Sequence, residues 1–138
     1  CADRAQHIAD TLNPVLNAGG TVLCDRFSLS TIAYQGARIP LSLVKSIEHA
    51  SRTHLAPCRI TQLLLDLNPQ AGMNRKFGEE WDAIERRPLS YHQEVARLFR
   101  EQGPTLFPTV SLNANFPQTV LVKQSLQAIQ SEALPVVR

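Results

Sequence analysis

The chain has 138 residues, 43% hydrophobic and 19% charged, with a formal net charge of +2 at pH 7. A chain of this length buries roughly 65 to 70% of the surface its unfolded form exposes, enough for one core, and its composition excludes a disordered chain. So small a charge gives no argument for nucleic acid or membrane partners, and no apolar stretch approaches the roughly 20 residues that span a bilayer.

The first residues lack a basic, then apolar, then small-residue leader pattern, so a soluble, cytoplasmic protein is the expectation. Cys1, Cys24 and Cys58 are odd in number and form no C-x-x-C pair. They read as reduced structural thiols, with Cys24 inside an apolar run. His7, His49, His54 and His92 lack ligand spacing, which argues against a metal held by protein side chains alone.

Ala5, Ile8, Ala9, Leu12 and Leu16 recur at helical spacing and predict an amphipathic helix from about 2 to 17, loosened near Pro14 and stopped by Gly19-Gly20. Thr21-Val22-Leu23-Cys24 predicts a buried strand at 21 to 25. A Ser/Thr-rich segment follows, then a helix from about 42 to 53 and a second apolar strand from Ile60 to Leu67. Asn68-Pro69 caps a short helix to about 75, and Lys76 to Trp81 reads as a polar lid. A long helix is expected from about 82 to 102, re-started near Pro88. A third strand at Thr109 to Asn113 and a last helix after Pro117, through Val122, Leu126, Ile129 and Ala133, complete the chain. Strands alternating with helices, without repeats or a dividing linker, predict a single α/β domain over 1–138 with a parallel sheet.

The segment Asp25-Arg26-Phe27-Ser28-Leu29-Ser30-Thr31-Ile32-Ala33-Tyr34-Gln35-Gly36 carries the most chemistry. In an open parallel sheet ligands bind beyond the carboxyl ends of strands, where Asp25 and Arg26 would emerge. The segment resembles the Asp-Arg, Ser/Thr, Ala-Tyr-Gln motif of thymidylate kinases, which move the γ-phosphoryl group of ATP onto dTMP. Ala2-Asp3-Arg4-Ala5-Gln6-His7 with Pro14 to Gly19 resembles that family's thymidine-contacting helix. Leu65-Asp66-Leu67-Asn68-Pro69-Gln70-Ala71-Gly72 resembles its strand-to-lid junction, and all three follow in family order.

The resemblance implies a three-layer parallel sheet flanked by helices, of the nucleotide-kinase (P-loop NTPase) type, and a homodimer. It also implies an amino-terminal truncation. No G-x-x-x-x-G-K-[ST] occurs, and the chain begins at Cys1, as though the family's first two strands, phosphate loop and first helix were absent. In the family the first strand lies between the one ending at Asp25 and the one ending near Leu67. Without it those two would stand about 10 Å apart, since neighbouring strands are about 4.8 Å apart. They would then pair directly, be bridged by another segment, or belong to a fragment. The family's thymine-stacking aromatic would fall just before Cys1.

Carried over residue by residue, the resemblance makes Arg26 the contact to the dTMP phosphate, against the alternative of an arginine salt-bridged to Asp25. A planar guanidinium suits bidentate phosphate contact. Asp25 would hold Mg²⁺ through water or orient Arg26. Arg4 would reach the thymine ring, and Ser30 and Thr31 the base edge unless they cap the following helix. Tyr34 would pack on the deoxyribose, excluding a 2′-hydroxyl, with Gln35 beside it. On the donor side, Arg75 and Lys76 would bind ATP, and Arg75 would take the catalytic role of a lid arginine unless it is simply exposed. Two departures stand out. Asp82-Ala83-Ile84-Glu85 has alanine where the family has arginine, and Ala37-Arg38-Ile39-Pro40 replaces a Gly-rich stretch. They keep a second reading open, a degenerate, non-catalytic relative serving as a nucleotide-binding or dimerisation module. A kinase for a related nucleotide is a third.

Overall fold

The chain is described by a computed structural model at residues 2–75 and 80–131. The first four lid residues, Lys76 to Gly78 and Glu79, and Ala133 of the expected last helix lie outside that range. The described elements are α1 (Ala2–His7), a π-helical segment (Ile8–Leu12), α2 (Asn13–Asn17), α3 (Ser28–Gly36), α4 (Leu41–Ser51), β1 (Gln62–Asp66), α5 (Pro69–Arg75), α6 (Leu89–Leu106), β2 (Thr109–Asn113) and α7 (Gln118–Gln130). Helices precede, connect and follow a small two-stranded parallel sheet, so the chain is mixed α/β, and with Leu65 57% exposed β1 is not covered on both faces as its apolar sequence suggests.

The first helical run continues through Pro14 because it widens just before it. Proline cannot donate to the carbonyl four residues back, and its ring crowds that carbonyl. Here Asn13 N–H bonds to Ile8 O, an i→i+5 spacing that relaxes the turn. Ile8 and Leu12 bury the inner face. The run ends on Gly19 at φ +78, with Gly19 N–H donating to Leu16 O and Gly20 N–H to Val15 O, the paired bonds of a left-handed C-terminal cap.

Asn13 turns this helix into an anchor for the loop after α4. Its Nδ2 donates to His54 O at 2.7 Å, and its Oδ1 accepts from Ala56 N–H at 2.8 Å. Asn13→Ala is expected to lower stability by about 1 to 2 kcal/mol, read as the urea midpoint. An unchanged midpoint would show that this loop is held by other contacts.

β1 and β2 pair in parallel, Gln62 opposite Thr109 through Asp66 opposite Asn113. Gln62 Nε2 donates across the pair to Thr109 Oγ1 at 2.7 Å. Between them α6 crosses back over the sheet, and Gly103 permits its close approach. A Cβ there would stand 3.2 Å from Gln62 Nε2 and 3.3 Å from Thr109 Oγ1. At the far end, Arg100 forks onto the Asp66 carboxylate at 2.8 to 3.1 Å, fixing α6 to the carboxyl end of β1. The core joins α3 to α6: Ala33, Val95 and Leu98 are buried, with Tyr34, Leu41, Tyr91 and Phe99 packed against them.

The expected strand at 21 to 25 does not form. Residues 21 to 24 carry no regular structure, Leu23 is 91% exposed, and among the described residues the sheet has two strands. A strand is stabilised by pairing and by a face to bury; among the described residues β1 pairs with β2 alone, so this apolar run stays irregular and largely exposed. Cys24 is accordingly exposed, not a buried structural thiol. Cys58 is half-buried, and burial pushes its thiol pKa up.

The helix expected from about 82 starts only at Leu89, because Pro88 is extended and opens it. It then runs to Leu106, past Pro104, whose missing N–H costs a single bond near the helix end. Residues 82 to 85 form a capped turn of their own. Asp82 Oδ1 accepts from Ile84 and Glu85 N–H, while Glu85 Oε2 accepts from Asp82 N–H. No described helix is long and apolar enough to cross a membrane.

Candidate functional site

The Ser/Thr-rich motif folds as the helix α3, which brings its side chains onto defined faces. Ser28, Leu29, Ile32 and Ala33 are buried. Thr31 and Gln35, four apart, share another face and line a cleft of about 350 Å³ with Asp3, Arg4, Ile39 and Ile47. The lining mixes polar Asp3, Arg4, Thr31 and Gln35 with apolar Ile39 and Ile47, a composition that suits a flat heterocycle with polar edges.

Arg4 is the cation among the residues that line this cleft. Its Nη2 donates to Thr31 Oγ1 at 2.6 Å and to Phe27 O at 3.4 Å, and its guanidinium carbon lies 4.6 Å from the Phe27 ring centroid. Thr31 therefore accepts from Arg4 and does not cap the helix. The N-cap is Phe27, which supplies no side-chain bond, and Ser30 sits inside the first turn, half-buried. Ser28, wholly buried at the first position of α3, has no partner for its hydroxyl among the described residues.

Arg26 precedes this helix at φ +66, the one non-glycine residue with positive φ among the described residues. Such a conformation is uncommon for a side-chain-bearing residue and directs attention to what the side chain does. Its guanidinium carbon lies 5.5 Å from the Tyr34 ring centroid, and among the described residues no ion pair joins it to Asp25. Cys24 Sγ donates to Arg26 O at 3.4 Å across this bend. Asp25 is exposed at the same bend. Tyr34 is half-buried, edge-on to Phe99 at 5.8 Å, and its carbonyl lies 3.5 Å from the Tyr91 hydroxyl.

The donor-side candidates stand elsewhere. Arg75, in the last turn of α5, donates from Nη1 to Ala114 O at 3.1 Å and from Nη2 to Asn115 Oδ1 at 3.2 Å. It is thus exposed but tied to the turn between β2 and α7, beyond the carboxyl end of the sheet. Lys76 lies outside the described residues. The structure joins Arg4, Thr31 and Gln35 in one cleft and Arg26 with Tyr34 on one cation–π contact.

Sequence reasoning overlooked Phe27, Tyr91 and Arg100. Phe27 stood in plain view inside the motif, an aromatic directly before a helix. Tyr91 and Arg100 lie 57 and 34 residues from their partners, and nothing local announces such contacts.

The thymidylate kinase family model matches residues 1–124. A thymidylate kinase of Cyanothece sp. is 36% identical over 96% of this chain and 59% of its own length. One from Nostoc punctiforme is 31% identical over 98% of this chain and 63% of its own length. One from Symbiobacterium thermophilum is 40% identical over 68% of this chain and 44% of its own length. The chain therefore spans roughly 44 to 63% of these relatives. With the Asp-Arg motif on a helix-opening bend, the Arg4 and Thr31 clasp beside it, and a family match over nearly the whole sequence, the chain belongs to the thymidylate kinase family.

Proposed function

We propose that the protein is a thymidylate kinase, transferring the γ-phosphoryl group of ATP to dTMP, and that these residues supply its acceptor side. The observation that carries the reading is the cleft in which Arg4, Thr31 and Gln35 converge beside the bend holding Arg26. In the transfer, the bond from the γ-phosphorus to the ADP oxygen breaks and a bond to a dTMP phosphate oxygen forms. Catalysis is then mostly positioning and charge neutralisation. Arg26 holds the dTMP phosphate, next to the N-terminus of α3, whose first N–H groups have no side-chain cap. Arg4, Thr31 and Ser30 meet the base, and Tyr34 with Gln35 the deoxyribose. On the donor side Arg75, with Lys76, takes ATP.

Asp25 fits a water-mediated hold on Mg²⁺: it is an exposed carboxylate beside the phosphate-binding arginine, and carboxylate oxygens suit this hard cation. When bound, the ion neutralises phosphate charge. A single domain of the three-layer nucleotide-kinase type is the proposed architecture, and the parallel β1–β2 pair is compatible with it. A homodimer belongs to the same reading, and Leu43 of α4, 51% exposed, offers an apolar contact for it. These 138 residues alone are expected to turn over no ATP, since they contain no phosphate loop.

The degenerate-relative reading is favoured by alanine at position 83 and by the altered loop at 37 to 40. Asp82 and Glu85, which flank Ala83 in the altered lid motif, cap each other's turn. The complete protein separates the readings. ADP formation that requires dTMP supports the kinase, whereas no thermal shift with millimolar dTMP supports the module. Comparing dTMP with dUMP, dCMP and a 2′-hydroxylated analogue tests the base and sugar assignments.

A further inference from the structure

We propose that Phe27 is a specificity-determining positioning residue, whose ring and carbonyl fix the Arg4 guanidinium so that it reads the carbonyl edge of a thymine-like base. The inference rests on the dTMP reading above and deepens it. Phe27 is half-buried and outside the buried core, so its ring is not there to fill the interior. The backbone turn made by Arg26 at φ +66 and Phe27 at φ −139, ψ −139 leads from the bend into α3. The Phe27 ring lies 4.6 Å from the guanidinium of Arg4, a residue of a different helix. An arginine side chain has many rotamers, and a ring face beneath its plane selects among them by cation–π attraction.

The second half of the argument is which donors remain. A guanidinium carries five N–H donors. Among the described residues both Arg4 hydrogen bonds leave from Nη2, to Phe27 O and Thr31 Oγ1, one turn apart on α3. Nε and Nη1 are left to a ligand in the cleft that Arg4 lines. Fixed donors favour a base that presents carbonyl oxygens on its polar edge and oppose cytosine, in which an exocyclic amine, itself a donor, replaces one of them. A site built to hydrogen-bond a group discriminates strongly against an analogue that leaves its polar atoms unpaired. A mobile Arg4 would swing away from the amine and lose that discrimination.

The test uses the complete protein and its Phe27→Leu and Phe27→Tyr variants, with dTMP and dCMP as probes. In Phe27→Leu the Kd and KM for dTMP are expected to rise about three- to tenfold, the size of a cation–π contact. The preference for dTMP over dCMP should shrink by a similar factor while kcat stays near the parent value. Phe27→Tyr, which keeps the ring, should restore all three. In the parent, the Arg4 Nε–H proton resonance should be displaced by the ring current of Phe27 and return to its ordinary position in Phe27→Leu. That reading of the parent holds even if the leucine variant folds poorly. An undisplaced Arg4 signal, or a leucine variant that keeps its base preference or loses only kcat, overturns the role of Phe27 and leaves the kinase reading standing. A parent that binds no dTMP overturns both.

Discussion

Replacing Arg26 with glycine or alanine is expected to lower dTMP-dependent turnover of the complete protein by about 10²- to 10³-fold, the usual size of losing one preorganised charge-stabilising donor. The two variants should nevertheless differ in stability. Arg26 sits at φ +66, a conformation that costs a residue with a Cβ about 1 kcal/mol or more and glycine very little. Alanine keeps that cost and loses the contact to Tyr34 at 5.5 Å, so it should be the less stable variant. Glycine relieves the backbone, which offsets both the lost contact and its own greater unfolded-state entropy. Its stability should therefore fall within about 1 kcal/mol of the parent, measured by urea denaturation. Equal stability of the two variants would remove the strained backbone from the account. Retention of turnover in both would remove Arg26 from the phosphate.

The pairing of a strained backbone with the chemistry also explains what could be read from the sequence. Helices with strong periodicity and clear ends were legible: α4 lies where its apolar spacing and flanking proline put it, α7 starts after Pro117 as expected but stops at Gln130, and Gly19 ends α2 as a left-handed cap. The β1 and β2 strands were legible too, as short apolar runs bounded by turn residues. The run Thr21 to Cys24 has the same character and did not become a strand, because strand formation depends on a neighbour that local sequence cannot supply. The composition of the site was visible as a motif, whereas its geometry was not. That Thr31 answers Arg4, Phe27 underlies it, and Arg75 ties to Asn115 depends on packing between segments 23 to 40 residues apart.

The largest effect on stability is expected away from the site, at Arg52. Glu48 on α4 has a side chain only 1% exposed, and both its carboxylate oxygens lie 3.1 Å from Arg52 Nε, one turn further on. Arg52 occupies the C-cap of α4, where a cation is favoured by the helix dipole, and its guanidinium carbon lies 5.2 Å from the buried Phe107 ring. Removing the arginine leaves a buried carboxylate with no counter-charge, so Arg52→Met should cost about 3 kcal/mol, roughly 10 °C in Tm for a chain of this length. Glu48→Leu should cost less, because the Arg52 side chain is 20% exposed and can turn its head to water over an apolar stem. The double variant should recover most of the loss, since an apolar pair of similar volume replaces a desolvated ion pair at little net cost. A double variant as unstable as Arg52→Met would show that packing against Phe107, and not the stranded carboxylate, sets the cost. An Arg52→Met variant within about 1 kcal/mol of the parent would mean that water reaches Glu48 and screens it as it screens a surface pair.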